Sequence, residues 1–363
     1  MADVSQIQVE TALKEVIDPY LEQDVVNAKA VKNIDVDDGK VVVDVVLGYP
    51  AKGWHQQLAG KLKDKVTAIA GVSDASINVS SNIVSHVVQK GVKPIDGVKN
   101  MIAVASGKGG VGKSTVAVNL ALALSAEGAN AAILDADIYG PSQPRMLGVR
   151  AKPQSKDGRS LEPIHSYHLQ VMSIGFLIEE ETPMIWRGPM VTQALEQLLK
   201  DTRWHEVDYL IIDLPPGTGD IQLTLAQKVP VSGAIIVTTP QDIALLDARK
   251  GLKMFEKVEV PVLGIIENMS THICSKCGHE EHIFGEGGGQ RMAEQYGIDL
   301  LGVIPLDMRI QEETDSGTPT VVAEPESYIA QIFREIARRV AAKQSLRKKD
   351  FSAAFPNIVI QNT

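Results

Sequence analysis

Gly107-Lys108-Gly109-Gly110-Val111-Gly112-Lys113-Ser114-Thr115 follows a short apolar run, Ile102–Ala105, and opens a longer apolar stretch, Ser114–Leu124. The segment fits G-x-x-x-x-G-K-[ST] at every fixed position, in the strand–loop–helix context that the pattern requires. Glycines let successive backbone N–H groups converge on phosphate oxygens without Cβ clashes. The helix start adds its positive end. Lys113 then reaches the β- and γ-phosphates, and the Ser114 hydroxyl holds Mg²⁺. This reading makes residues 107–115 an ATP site.

Outward from the loop, short apolar runs alternate with helical stretches. They are Ile102–Ala105, Ala131–Leu134, Leu169–Ile174, Tyr209–Ile212, Ala234–Thr238, Val262–Ile266 and Leu300–Ile304. Such runs predict an α/β P-loop NTPase whose mostly parallel sheet is covered by helices on both faces. Asp213 ends one run and is the expected acid behind Mg²⁺, leading into Leu214-Pro215-Pro216-Gly217-Thr218-Gly219-Asp220. Asp135 and Asp137 follow another run. Asp137 is the better candidate to orient attacking water, and Asp135 is expected near the metal. Residues 150–167 lack periodicity and read as a loop.

Residues 1–90 read differently, as a small α+β domain in the order α-β-β-α-β. Val9, Leu13, Val16 and Ile17 repeat at helical spacing up to Pro19, and Asp37-Asp38-Gly39 marks a hairpin. Residues 91–98 are a Gly/Pro linker, 99–343 the NTPase domain and 344–363 a tail, basic at Arg347–Lys349. The 363 residues are 44% apolar and carry a net charge of −9. With only 4% aromatics, neither a polyanion surface nor a stacking platform is expected, hence no nucleic-acid partner. No signal-like start and no run of spanning length is visible, so a cytoplasmic protein without stable membrane association is expected.

The two cysteines, Cys274 and Cys277, form one C-x-x-C. Two thiolates supply half of a four-ligand site. Two subunits can share a cluster, or His279 and His282 can complete a zinc site with His272 nearby, or the pair can be a redox dithiol.

Lys108 resembles the extra lysine of the deviant K-G-G-x-G-K-[ST] loop of MinD-like ATPases. Together with Asp135–Ser142 (DADIYGPS), Trp186–Met190 (WRGPM), Asp213–Asp220 (DLPPGTGD) and Glu267–Cys277, the chain resembles the Mrp/ApbC iron–sulfur cluster carrier family. Ala12–Val26 is similar to the MIP18-like domain found in front of bacterial members. The resemblance implies an ATP-hydrolysing homodimer that holds a labile [4Fe–4S] cluster between the two C-x-x-C pairs and passes it to apo iron–sulfur proteins. It also implies that Lys108 acts across the dimer on the partner's nucleotide and that Asn268 reads the adenine. A MinD-like membrane-cycling ATPase would instead need its C-terminal apolar stripe free: Tyr328, Ile329, Ile332, Phe333, Ile336, Val340 and Ala341. A zinc-stabilised scaffold without cluster cargo is the other alternative.

Overall fold

The computed structural model describes residues 4–89, 91–177, 188–274 and 276–350. The N-terminal unit begins with α1 (Gln6–Leu13), then a ribbon of β1 (Ile17–Asp18) and β2 (Gln23–Asp24). β3 (Val31–Asp37), β4 (Lys40–Leu47), α2 (Lys52–Thr67) and β5 (Asp74–Ser81) complete it, with sheet order β3-β4-β5. The β3–β4 turn has both Asp38 and Gly39 at positive φ, the geometry of a two-residue hairpin. α1 stops at Leu13, short of the helix expected up to Pro19. There the Asp18 carboxylate accepts the Tyr20 N–H at 2.9 Å and the Tyr49 hydroxyl at 2.6 Å, which favours the ribbon over another helical turn.

The second unit runs β6 (Val98–Ala105), α3 (Lys113–Ala126), β7 (Ala131–Asp135), α4 (Gln143–Met146), β8 (Ile164–Ser166), β9 (Leu169–Ser173), α5 (Gly188–Asp201) and β10 (Val207–Asp213). It continues through α6 (Asp220–Lys228), β11 (Gly233–Thr238), α7 (Asp242–Lys257), β12 (Val262–Glu267), β13 (His272–Ile273) and β14 (Glu280–Glu281). α8 (Gly288–Tyr296), β15 (Leu300–Val303), α9 (Met308–Asp315), α10 (Thr320–Ala323) and α11 (Tyr328–Ser345) close it. The eight-stranded sheet has the order β15-β12-β11-β6-β10-β7-β9-β8 and is parallel except for β8, which pairs antiparallel with β9. β8 lies inside the stretch expected to be a loop; only three residues long and partly exposed, it carries no periodic signal.

α3 is apolar on every side because it is buried on every side, between the sheet and α11. The apolar stripe of α11 is spent on this packing. Ile329, Phe333, Ile336, Val340 and Ala341 are buried against the domain, while Ile332 is half-buried and Tyr328 exposed. Among the described residues no helix is long and apolar enough to cross one.

The two units share one apolar core and a buried charged node. Glu127, the C-cap of α3, accepts from Arg334 Nε at 2.6 Å, from Arg338 Nη2 at 2.8 Å and from the Gly53 N–H at 2.9 Å. Arg338 also donates to the Tyr20 hydroxyl at 2.7 Å. A Cβ at Gly53 would stand 2.6 Å from Arg334, so glycine is what lets α2 approach. The tail joins in as well: the Val87 N–H donates to the Lys348 carbonyl and the Asp350 N–H to the Ser85 carbonyl, both just ahead of the linker.

Burial alone would raise the Glu127 carboxyl, but the Arg338 hydrogen bond and charge, with Gly53 and Arg334, outweigh it and hold it below the ordinary glutamate range. Its stabilisation is therefore present above the ordinary value of 4.5 and is lost as pH falls through the lowered folded value. Glu127→Ala leaves two arginines buried without their counter-charge and should cost about 3–5 kcal/mol in urea unfolding. Glu127→Gln should flatten the acid limb of the stability curve.

Candidate functional site

The phosphate loop sits at the carboxyl end of β6, in the middle of the sheet, where ligands bind in open α/β folds. Gly110 and Gly112 both have positive φ, at 84° and 79°. Gly112 is the N-cap of α3, and a Cβ there would come within 2.2 Å of the Asn268 amide nitrogen. A Cβ on Gly107 would meet the Asp247 carbonyl carbon of α7 at 2.1 Å. The loop is thus pressed between two neighbours. The cavity, about 270 Å³, is lined by Gly109, Gly110, Gly112, Lys113, Ser114, Thr115, Asp137, Ser142 and Pro216 among others.

Lys113 is the buried cation of the site. Its ammonium pairs with Asp213 and donates to Ser114 Oγ at 3.2 Å. Asp213 is fully buried at the end of β10, beside Asp135 on β7 in the ladder register. Gln143 joins them: its amide nitrogen donates to Asp213 at 2.9 Å and to the Ser114 carbonyl at 3.1 Å. The sequence reading did not single out Gln143, because an uncharged side chain after Pro-Ser carries no signal of a buried bridging role.

The two aspartates divide as follows. Asp135 is wholly buried and accepts the Asp137 N–H and Gln143 N–H, each at 3.1 Å, and the Ser173 hydroxyl at 3.0 Å. Burial and then the charge of Asp213 push it up to about 7. It does not line the cavity. Its oxygens accept from protein donors, among them the backbone N–H groups of Asp137 and Gln143. Asp137 lines the cavity itself; burial raises its carboxyl above the ordinary range against the opposing charge of Lys113.

The pocket fits a Mg-nucleotide on its own chemistry. Two carboxylates, Asp213 and Asp137, act on one buried ammonium with Asp135 behind them, an excess of negative charge that a dication balances. Ser142 Oγ is buried, lines the cavity and has no partner in the described structure. The backbone cradle supplies the phosphate donors. From the other side, the loop after β10 closes on the cradle through the Gly217 N–H, which donates to the Ser106 carbonyl at 3.0 Å. The side chain of Lys108 has no hydrogen bond or ion pair to any described residue, and only its carbonyl is engaged, by Ser106 Oγ. Asn268 lies under the loop and donates to the Val111 carbonyl at 2.9 Å, an anchoring role the sequence did not disclose.

Cys274 and Cys277 are free thiols in the knuckle between β13 and β14. The Cys274 N–H donates to the His279 carbonyl at 2.9 Å and its own carbonyl accepts from Gly278 at 2.8 Å. Backbone N–H groups of Lys276 and Cys277 hold the Cys274 thiol below its ordinary range. The neighbouring histidines do not complete a site with them. His279 and His282 face Glu281 and Glu286, and His272 Nδ1 faces the Leu306 carbonyl. Among the described residues no three His, Cys, Asp or Glu side chains converge. Trp186 and Arg187, part of the WRGPM signature, lie outside the described residues.

Comparison with known proteins gives the family. A family model described as NUBPL iron-transfer P-loop NTPase matches residues 97–341, and one described as iron-sulfur cluster assembly protein matches residues 6–79. An iron-sulfur cluster carrier protein of Escherichia coli is 52% identical over 326 residues, covering 90% of this chain and 88% of the relative. The mouse iron-sulfur cluster transfer protein NUBPL is 51% identical over 253 residues, covering 69% of this chain and 79% of the relative. Among solved structures, a nucleotide-binding protein from Archaeoglobus fulgidus in complex with ADP aligns with a TM-score of 0.58 and 38% identity, covering 66% of this chain and 93% of that one. The cell division ATPase MinD of Pyrococcus furiosus, at 24% identity and a TM-score of 0.50, covers 66% of this chain and 98% of its own; it shares the fold.

Gly112→Ala tests the cradle. The added methyl meets Asn268 and the backbone angle disfavours it. Mg-ATP affinity should fall about tenfold or more by isothermal titration, with far-UV circular dichroism unchanged.

Proposed function

The chain belongs to the iron-transfer P-loop NTPase family, and from that premise we propose that it hydrolyses ATP in the service of carrying a labile [4Fe–4S] cluster, held between the C-x-x-C pairs of two copies, to apo iron–sulfur proteins. The observation that carries the reading is the thiol pair. Cys274 and Cys277 are the only cysteines of the chain, and their thiols are unbonded and at least partly exposed. Two thiolates leave a four-iron cluster half ligated, and no third donor from the described residues joins them. A second copy doubles the thiolates to four around a two-fold axis. Lys108 supports the same arrangement, since its ammonium is unspent within the described chain and sits on the phosphate loop.

Within each copy, the residues take these roles. The amides of Gly107–Ser114 and the Lys113 ammonium bind the β- and γ-phosphates, and Lys113 exchanges its Asp213 partner for phosphate oxygen. Ser114 Oγ and Asp213 hold Mg²⁺, which supplies neutralisation of charge on the phosphates. Asp137, at the cavity wall, orients the attacking water. Asp135 positions Asp137 through its backbone N–H. Asn268 stands where the family reads adenine. Lys108 acts on the nucleotide of the other copy, in the manner of an arginine finger. The N-terminal unit lacks any thiol, which suits docking of partners rather than cluster ligation.

Anaerobic reconstitution tests this directly. The expected result is one four-iron, four-sulfide cluster per dimer, with a dimer mass in solution. Cys277→Ala should lose the cluster and keep Mg-ATP binding. Lys108→Ala should lower ATP turnover about 10³-fold or more while leaving nucleotide affinity within a few-fold. Full iron loading of a monomer, or zinc at one per chain with no sulfide, would overturn the proposal.

A further inference from the structure

The phosphate loop and the cysteine knuckle are joined by one short run of chain, Asn268 to Cys274. Six residue steps span at most about 20 Å. Its first two residues touch the phosphate loop. Asn268 donates to the Val111 carbonyl, and a Cβ built on Gly112 would lie 2.2 Å from the Asn268 amide nitrogen and 3.6 Å from the Met269 methyl. Met269 itself stands at φ 57°, a left-handed angle that an unbranched non-glycine side chain adopts rarely. The chain bends there, away from β12 and toward the knuckle.

The run beyond Met269 is braced along its length. Ser270 N–H donates to the Ile304 carbonyl at 3.1 Å, and the Thr271 carbonyl accepts from Leu306 at 2.7 Å. His272 Nδ1 meets the Leu306 carbonyl at 3.1 Å. Ile273 pairs with Glu280 in the ribbon, and the next residue is Cys274. At the near end the strand is fixed too: Asn268 N–H donates to the Thr238 carbonyl at 2.8 Å, and the Glu267 carboxylate caps α8 through the Gly289 N–H. Among these steps, Met269 is the one residue held at a left-handed angle. The run is thus braced on both sides of one bent residue.

We propose that Met269 is a positioning residue: its side chain over Gly112 and its bent backbone convert occupation of the phosphate loop into a change in the placement of Cys274 and Cys277. The proposal rests on residues 107–115 being the nucleotide site, and it names how that site reaches the cargo thiols. It requires no cluster to be present, because the strut acts on the thiols themselves.

The two cysteines make the test clean, since every thiol signal from this chain comes from the knuckle. The full-length, metal-free protein is treated with 5,5′-dithiobis(2-nitrobenzoate), with and without Mg-ATPγS. The expected result is a nucleotide-dependent change in thiol reaction rate of about fivefold or more. Met269→Gly, which accepts the left-handed angle and removes the side chain, should bring the ratio to about one while keeping ATPγS affinity. Met269→Leu, which restores an apolar side chain over Gly112, should recover most of the ratio. A wild-type ratio of one with nucleotide bound, or a Met269→Gly ratio equal to wild type, overturns the proposal. Iron and sulfide analysis of the reconstituted protein reports separately on the carrier reading.

Discussion

The buried ion pair between Lys113 and Asp213 is the constraint around which the nucleotide pocket is assembled. An ammonium with almost no solvent contact needs a counter-charge, and the end of β10 is where the fold supplies it. That places three strand ends, those of β6, β7 and β10, in one plane. Asp135 then falls beside Asp213 as its neighbour in the ladder, and the excess of carboxylate follows. The protein answers part of that excess with hydrogen bonds from Gln143 and Ser173, while burial beside Asp213 pushes the Asp135 carboxyl above its ordinary range. What is left unanswered is directed at the cavity, where a magnesium–phosphate pair is the natural complement.

The phosphate loop, the parallel strands and the α+β head were all legible in the residues, because each rests on local pattern: fixed glycines, fully apolar runs, a hairpin dipeptide. The division of labour between Asp135 and Asp137 was not. Both lie after the same apolar run, and only tertiary donors decide that one faces inward to Gln143 and Ser173 while the other meets the cavity. Gln143, Asn268 and Glu127 share that invisibility. Each is a polar side chain whose role is set by what distant segments bring to it, from 29 positions away for Gln143 and Ser114 up to 211 for Glu127 and Arg338. Local propensity holds no record of such partners. The early end of α1 belongs to the same class, since Tyr49, remote in sequence, helps fix the Asp18 turn.

α3 connects the two ends of this account. Its N-terminus is the phosphate cradle, and its C-cap, Glu127, is the charged node on which the N-terminal unit rests. A helix apolar all round has no solvent face along which to slide independently of its neighbours. The head unit, α3 and α11 therefore pack as one body, sharing a single apolar core.

The segment ahead of the linker has a consequence for how cargo finds its recipient. Its residues 85–87 are paired with the chain's own C-terminal stretch, and the Glu127 node holds α2, so the head unit does not sweep a volume. On the proposal that this unit docks partners, a recipient held there would be presented to the cysteine knuckle at a fixed distance and bearing. Its effective concentration at the thiols is then set by geometry, high for a recipient of matching shape and near zero for the rest. Selectivity among recipients can arise this way without any residue of the knuckle reading them.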